Sequence, residues 1–117
     1  MENFIYDKRI YYHPIEFAMI HIGGTWKIPI LLALRNGPQR YGELKTTINH
    51  ITDKMLVTQL RELEKKKMIY RSVYRQKPPK VTYTLTVHSE KAFAAIDALT
   101  IFGNYMMNIT EVMRRAG

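Results

Sequence analysis

The apolar positions of this chain switch between helical and strand periods at well-marked points. After His13-Pro14, residues Ile15, Ala18, Met19 and Ile22 recur at helical spacing, and proline suits a first helical turn. Gly23-Gly24 ends that helix. Thr25 is expected to cap a second helix through Trp26, Ile30, Leu31 and Leu34 to about Arg35, with Pro29 near its fifth position. Asn36-Gly37-Pro38 stops it, and Gly37 to Tyr41 has room for one short strand. A third helix spans Tyr41 to Ile48, with Leu44 and Ile48 inward. Asn49-His50-Ile51 turns the chain, and Thr52 caps a fourth helix.

Read at ~100° per residue, the fourth helix has two sides. Leu56, Leu60, Leu63 and Lys67 fall on one; Lys54, Thr58, Arg61 and Lys65 fall on the other. The period then becomes two. Ile69 to Arg75 and Val81 to Thr86 read as strands whose buried face holds Ile69, Val73, Val81, Tyr83 and Leu85. Gln76-Lys77-Pro78-Pro79-Lys80 joins them as a stiff cationic loop, because prolines leave a paired ladder. A last helix runs from about Ser89 to Arg115. Phe93, Ile96, Leu99, Phe102, Met106, Ile109 and Met113 form one stripe on it; Ala98, Ile101, Tyr105 and Val112 form a second. Residues 1 to 12 are apolar but irregular, and are expected to pack on something, a partner subunit included. Trp26 reads as a core residue whose indole N–H needs a partner.

This order describes a mainly α chain with a small β-hairpin wing, a winged helix-turn-helix with N- and C-terminal dimerisation helices. At 117 residues it reads as one domain, with 13–86 as a DNA-binding core and 1–22 and 89–115 as dimerisation arms. Two broad apolar stripes on a terminal helix exceed what one small core covers. Ile15, Met19, Phe93, Leu99, Phe102, Met106 and Ile109 are the expected dimer contacts.

Charge sharpens the reading. The net charge is +8, and residues 40 to 80 hold eleven Lys and Arg against four Asp and Glu, a net of +7. The flanking segments supply +1 and 0. A field focused in this way suits a polyanion. The expected DNA-contacting residues are Arg40, Lys45, Thr52, Lys54, Met55, Thr58, Gln59, Arg61, Arg75, Lys77 and Lys80. Helix 52–66 would enter the major groove, and loop 76–80 would meet the flanking backbone or minor groove of double-stranded DNA.

The matching pieces resemble the HxlR-type (DUF24) bacterial regulators, relatives of the MarR group. They are His13-Pro14-Ile15-Glu16, Ile22-Gly23-Gly24-Thr25-Trp26-Lys27, Gly37 through Leu44, Leu60-Arg61-Glu62-Leu63-Glu64, and Pro78 through Thr86. The resemblance implies a homodimer joined by its first and last helices, with the helix matching Asp53 to Lys66 in the major groove and Gln76 to Lys80 as the wing. Two departures matter. The family usually has Cys where this chain has His13, and some members sense oxidants there; with no Cys, that switch cannot operate here. His13 is left with a structural role, or a response to pH or ligand. The family also reads Leu-Thr-x-x-Gly after the wing, whereas Leu85-Thr86-Val87-His88-Ser89 lacks the glycine, so entry to the last helix should differ.

The functional expectation is a homodimeric, sequence-specific transcription regulator, acting as a repressor on a near-palindromic operator. The alternatives are a protein-interaction module without DNA binding and a non-specific nucleic-acid binder. No cofactor or metal is expected: the four histidines are isolated, and no phosphate loop or nucleophile elbow is present, which argues against an enzyme. A small-molecule effector could sit near Trp26, Phe17 and Phe102, where arm and core should meet. No apolar run reaches the ~18 residues of a membrane span, and the first residues lack signal-peptide order, so a cytoplasmic location is expected.

Overall fold

In a computed structural model of the chain, residues 2–110, 112 and 113 are described. The irregular N-terminus is a β-hairpin, β1 (Phe4–Tyr6) with β2 (Arg9–Tyr11). Asp7 and Lys8 both take positive φ at the turn, the geometry that matches strand twist in a two-residue loop. The hairpin packs on its own chain. Phe17 of the next helix meets the rings of Phe4, Tyr6 and Tyr11 edge-on at 5.6, 5.1 and 5.3 Å.

Helix α1 (Pro14–Ile22) starts as expected, with His13 as its cap: His13 Nδ1 accepts from the Ile15 N–H at 3.0 Å. Gly23 closes it by donating to the Met19 carbonyl at 2.7 Å. Helix α2 is Lys27–Leu34, so it begins later than Thr25 would place it; Trp26 holds the cap position without a side-chain bond. Pro29 is therefore the third helical residue, where its missing N–H is one the helix leaves unpaired anyway. Ile30 N–H donates to the Trp26 carbonyl and opens the ladder. Trp26 itself is half-buried and packs against the core's edge.

Strand β3 (Gln39–Arg40) leads into α3 (Tyr41–Thr47), and α4 spans Asp53–Lys65. Strands β4 (Ile69–Tyr74) and β5 (Lys80–Leu85) pair antiparallel, with Arg71 opposite Tyr83, and β3 adds to the far edge of β5. Helix α5 is Val87–Ile109. Its start lies two residues before Ser89 because Thr86 caps it, accepting from Ser89 N–H at 3.4 Å. The expected end at Arg115 lies outside the described residues. No single helix among the described residues is long and apolar enough to cross a membrane.

One core holds the elements together. Ile30, Leu31 and Leu34 of α2 meet Leu44 of α3, Leu56, Leu60 and Leu63 of α4, Ile69 and Tyr83 of the sheet, and Phe93 and Ile96 of α5. Val73 is exposed, since the wing projects past the helices at that point. Lys67 is not on the inner side of α4. The helix ends at Lys65, and Lys67 takes φ +61 while its N–H donates to the Glu64 carbonyl and that of Met68 to the Leu63 carbonyl. This is a Schellman closure, and it is Met68 that turns inward beside Leu63.

Candidate nucleic-acid interface

Helix α4 is held at its first turn and along its middle. Thr52 Oγ1 accepts from Met55 N–H at 3.1 Å, and Tyr41 Oη donates to Asp53 Oδ1 at 2.6 Å, tying the first turn of α3 to that of α4. The same bond holds the Tyr41 phenol well above its ordinary range, pushed up to about 12, with desolvation and the Asp53 charge adding to it. Along the middle of α4, Lys27 Nζ donates to Gln59 Oε1 at 2.8 Å and to Glu62 Oε2 at 2.6 Å.

The buried leucines turn the opposite side of α4 outward. Lys54, Met55, Thr58, Arg61 and Lys65 are all exposed. Thr58 spends its hydroxyl proton on the Lys54 carbonyl at 2.8 Å, which leaves the oxygen as an acceptor. Gln59 is a correction to the expected reading face. It is half-buried on the inner flank, and its carbonyl oxygen is held by Lys27. Lys45 also turns inward, since its Nζ donates to the Ile51 carbonyl at 2.7 Å and braces the turn between α3 and α4. Arg40 and Thr52 are exposed at the mouths of α3 and α4.

The wing carries Arg75 and Lys77 exposed at its tip; Lys80 is half-buried, its Nζ 5.6 Å from the Tyr74 ring. Arg71 joins this surface. It faces Arg61 across a cleft of about 330 Å³ between α4 and the sheet, which Glu64 and Tyr83 also line. Strand alternation places Arg71 on the face of Ile69, but only the packing of that face on α4 brings the two arginines to one cleft.

Carboxylates cancel little of this field. Of the four between residues 40 and 80, three are turned to internal partners: Glu43 accepts from Arg40 N–H, Asp53 from Tyr41 and Glu62 from Lys27. The fourth, Glu64, is exposed and lines the cleft with Arg61 and Arg71. Lys54, Arg61, Lys65, Arg71, Arg75 and Lys77 enter no ion pair among the described residues.

The model of the HxlR-like helix-turn-helix family matches residues 21–111. The chain belongs to that family. Among HxlR-like relatives, the HTH-type transcriptional regulator YtcD of Bacillus subtilis is 41% identical over 102 residues, which is 87% of this chain and 81% of that one. The regulatory protein MalR of Fusobacterium mortiferum is 42% identical over 95 residues, 80% of this chain and 87% of the relative. The crystal structure of YtcD superposes with a TM-score of 0.78 at 41% identity, over 83% of this chain and all but 1% of that one. The redox regulator HypR in its reduced form gives 0.79 at 34% identity, over 85% and 98% of the two chains. These are regulators rather than enzymes, and this HxlR-like chain is a winged helix-turn-helix protein of the same kind.

The dimer contacts expected on α1 and α5 divide. Ile15, Met19, Leu99, Phe102 and Ile109 are exposed, and Met106 is half-buried. Phe93 is corrected: it is 6% exposed inside its own protomer's core, with the Arg35 guanidinium 4.3 Å over its ring, so no partner can reach it. The expected effector site also dissolves. Trp26 lines a groove with Leu32 and Asn36, Phe17 is enclosed by the N-terminal hairpin, and Phe102 faces outward on α5.

Proposed function

We propose that this HxlR-like protein acts as a homodimer that binds double-stranded DNA at a near-palindromic operator and represses transcription there. Lys54, Met55, Thr58 and Arg61 of α4 read the major groove, Thr52 and Arg40 contact the adjacent backbone, and Arg75, Lys77 and Lys80 hold the flanking backbone or minor groove. Residues 13–86 serve as the DNA-binding core; the hairpin with α1, and α5, serve as arms. The location is then the cytoplasm.

The observation that carries this reading is the outward row of α4. It is open, cationic and set beside a cationic wing, while Glu43, Asp53 and Glu62 are occupied internally and Glu64 is the one exposed carboxylate beside it without such a partner among the described residues. Exposed apolar residues on α1 and α5 support the dimer, since one small core leaves them uncovered. HypR is a redox regulator; this chain has no cysteine, so no thiol of its own can carry such a response.

A gel shift with the DNA upstream of the chain's own gene, against random duplex of equal length, tests the proposal. A preference of several hundred-fold or more is expected for the native site. A preference of a few fold would point to non-specific binding, and no shift at low salt to an interaction module.

A further inference from the structure

Helix α5 is fastened to its own protomer over its first half. The Ser89 hydroxyl donates to the Met68 carbonyl, and Phe93 and Ile96 are buried in the core. Asp97 comes next. Its two carboxylate oxygens accept from the two terminal nitrogens of Arg35 at 2.7 and 2.9 Å, and the same guanidinium lies 4.3 Å over the Phe93 ring. Farther along α5, no side-chain hydrogen bond reaches another element among the described residues. Leu99, Ile101, Phe102, Tyr105 and Ile109 are exposed there.

Arg35 closes α2, its N–H donating to the Leu32 carbonyl at 3.2 Å. The first turn of α2 holds α4 through Lys27, whose ammonium donates to Gln59 and Glu62. Helix α2 therefore stands between the reading helix and α5, with a polar tie to each. The tie at Arg35 is directional. A fork of two N–H···O bonds fixes angle as well as distance, and stacking on Phe93 limits the swing of the guanidinium. The same bonds hold the Asp97 carboxyl below its usual range and the Arg35 guanidinium above its own.

The two side chains are 42% and 52% exposed, so the pair adds little to stability; its effect lies in geometry. From Ser89 to Asp97 the helix rises about 12 Å, and from Ser89 to Ile109 about 30 Å. A sideways shift at Asp97 is thus magnified about 2.5-fold at Ile109.

We propose that Arg35 and Asp97 are a positioning pair: their fork sets the angle of α5 against the DNA-binding core, and so the separation of the two reading helices in a dimer and the half-site spacing that the dimer accepts. The inference rests on the dimeric DNA-binding reading above. It assigns operator specificity to two residues that need not touch DNA.

The lack of cysteine makes the test direct. Thr46→Cys, exposed on α3, places one spin label on each protomer, and a dimer then gives one label-to-label distance. A narrow distribution is expected, and adding Asp97→Asn or Arg35→Lys should about double its width. Arg35→Lys keeps the charge and loses the fork. Gel shifts of the proteins without the label then use the native upstream duplex with one or two base pairs inserted or removed at the centre of the site, each of which turns one half-site by about 35°. The unsubstituted protein should lose about tenfold or more in affinity for each such change and the variants about threefold or less, with affinity for a single half-site unchanged. A variant that merely disturbs the core would lower half-site affinity and keep the spacing preference. Unchanged widths, or unchanged spacing penalties, in both variants overturn the inference and leave the dimeric reading standing. Absence of any distance between protomers overturns that reading, and the inference with it.

Discussion

Lys27 Nζ lies 2.6 Å from Glu62 Oε2, joining α2 to the middle of the reading helix. The two ends differ: the Lys27 side chain is 10% exposed and that of Glu62 46%. A buried cation that loses its carboxylate has little water to replace it, whereas the carboxylate left alone is solvated. Glu62→Ala should therefore cost about 1–2 kcal/mol, and Lys27→Met less than about 1 kcal/mol. Urea midpoints at fixed protein concentration measure both, and an equal loss from the two would contradict the asymmetry.

Lys67 holds φ +61 in the position where a helix closure favours glycine. Its carbonyl accepts from Thr86 Oγ1 at 2.7 Å, a bond that a substitution leaves intact. Lys67→Gly should raise stability by about 0.5–1 kcal/mol, and Lys67→Val should lower it. Thermal unfolding of the three proteins decides the order.

Tyr41 donates to Asp53, and its phenol is pushed up to about 12. Because the folded value exceeds the unfolded one, of about 10, this bond contributes fully below pH ~10 and is lost as pH rises through about 12. One of the eight tyrosines should ionise later than the rest when absorbance near ~295 nm is followed. Tyr41→Phe should remove that late step; a late step that survives the substitution would assign it elsewhere.

Phe93 and Phe102 share α5 but not surroundings. Phe93 is 6% exposed and Phe102 59%. Phe93→Ala should cost about 3–5 kcal/mol of stability, as truncation of a buried aromatic does. Phe102→Glu should instead split the proposed dimer, read by sedimentation velocity. A protein that stays dimeric with Glu at this position would remove α5 from the interface.

Arg61 and the wing lysines should fail differently. Arg61→Ala should weaken the native site by about 1–3 kcal/mol while leaving random duplex less affected. Lys77→Ala or Lys80→Ala should weaken all sequences alike and reduce the salt slope by about one unit each. Titrations at several salt concentrations separate these outcomes, and an Arg61→Ala protein with unchanged operator affinity would reject the reading face.

Local rules made much of this legible. The leucines of α4 and the cap at Thr52 follow from period and hydroxyl chemistry, and both stand in the structure. The N-terminal hairpin was not legible, because its turn is Asp7-Lys8 rather than a glycine-bearing pair, and its aromatic face needs Phe17 to close it. Gln59, by contrast, was legible as an inner-flank residue: at ~100° per residue it lies ~40° from Leu63 and ~100° from Thr58, and only its partner Lys27, 32 positions earlier in the chain, needed the fold.

The chain's order of residues thus determined the succession of helices and wing, the inward side of α4, the concentration of positive charge and the loss of any thiol chemistry. Period, capping and composition act over a few residues, so they can be read without a fold. Tertiary structure alone decided which polar side chains are free. It turned Glu62, Asp53, Gln59 and Lys45 to internal partners, brought Arg71 to Arg61 and took Phe93 into the core. Those outcomes depend on contacts between distant elements, and a hydrogen bond or a buried ring leaves no periodic trace in the sequence.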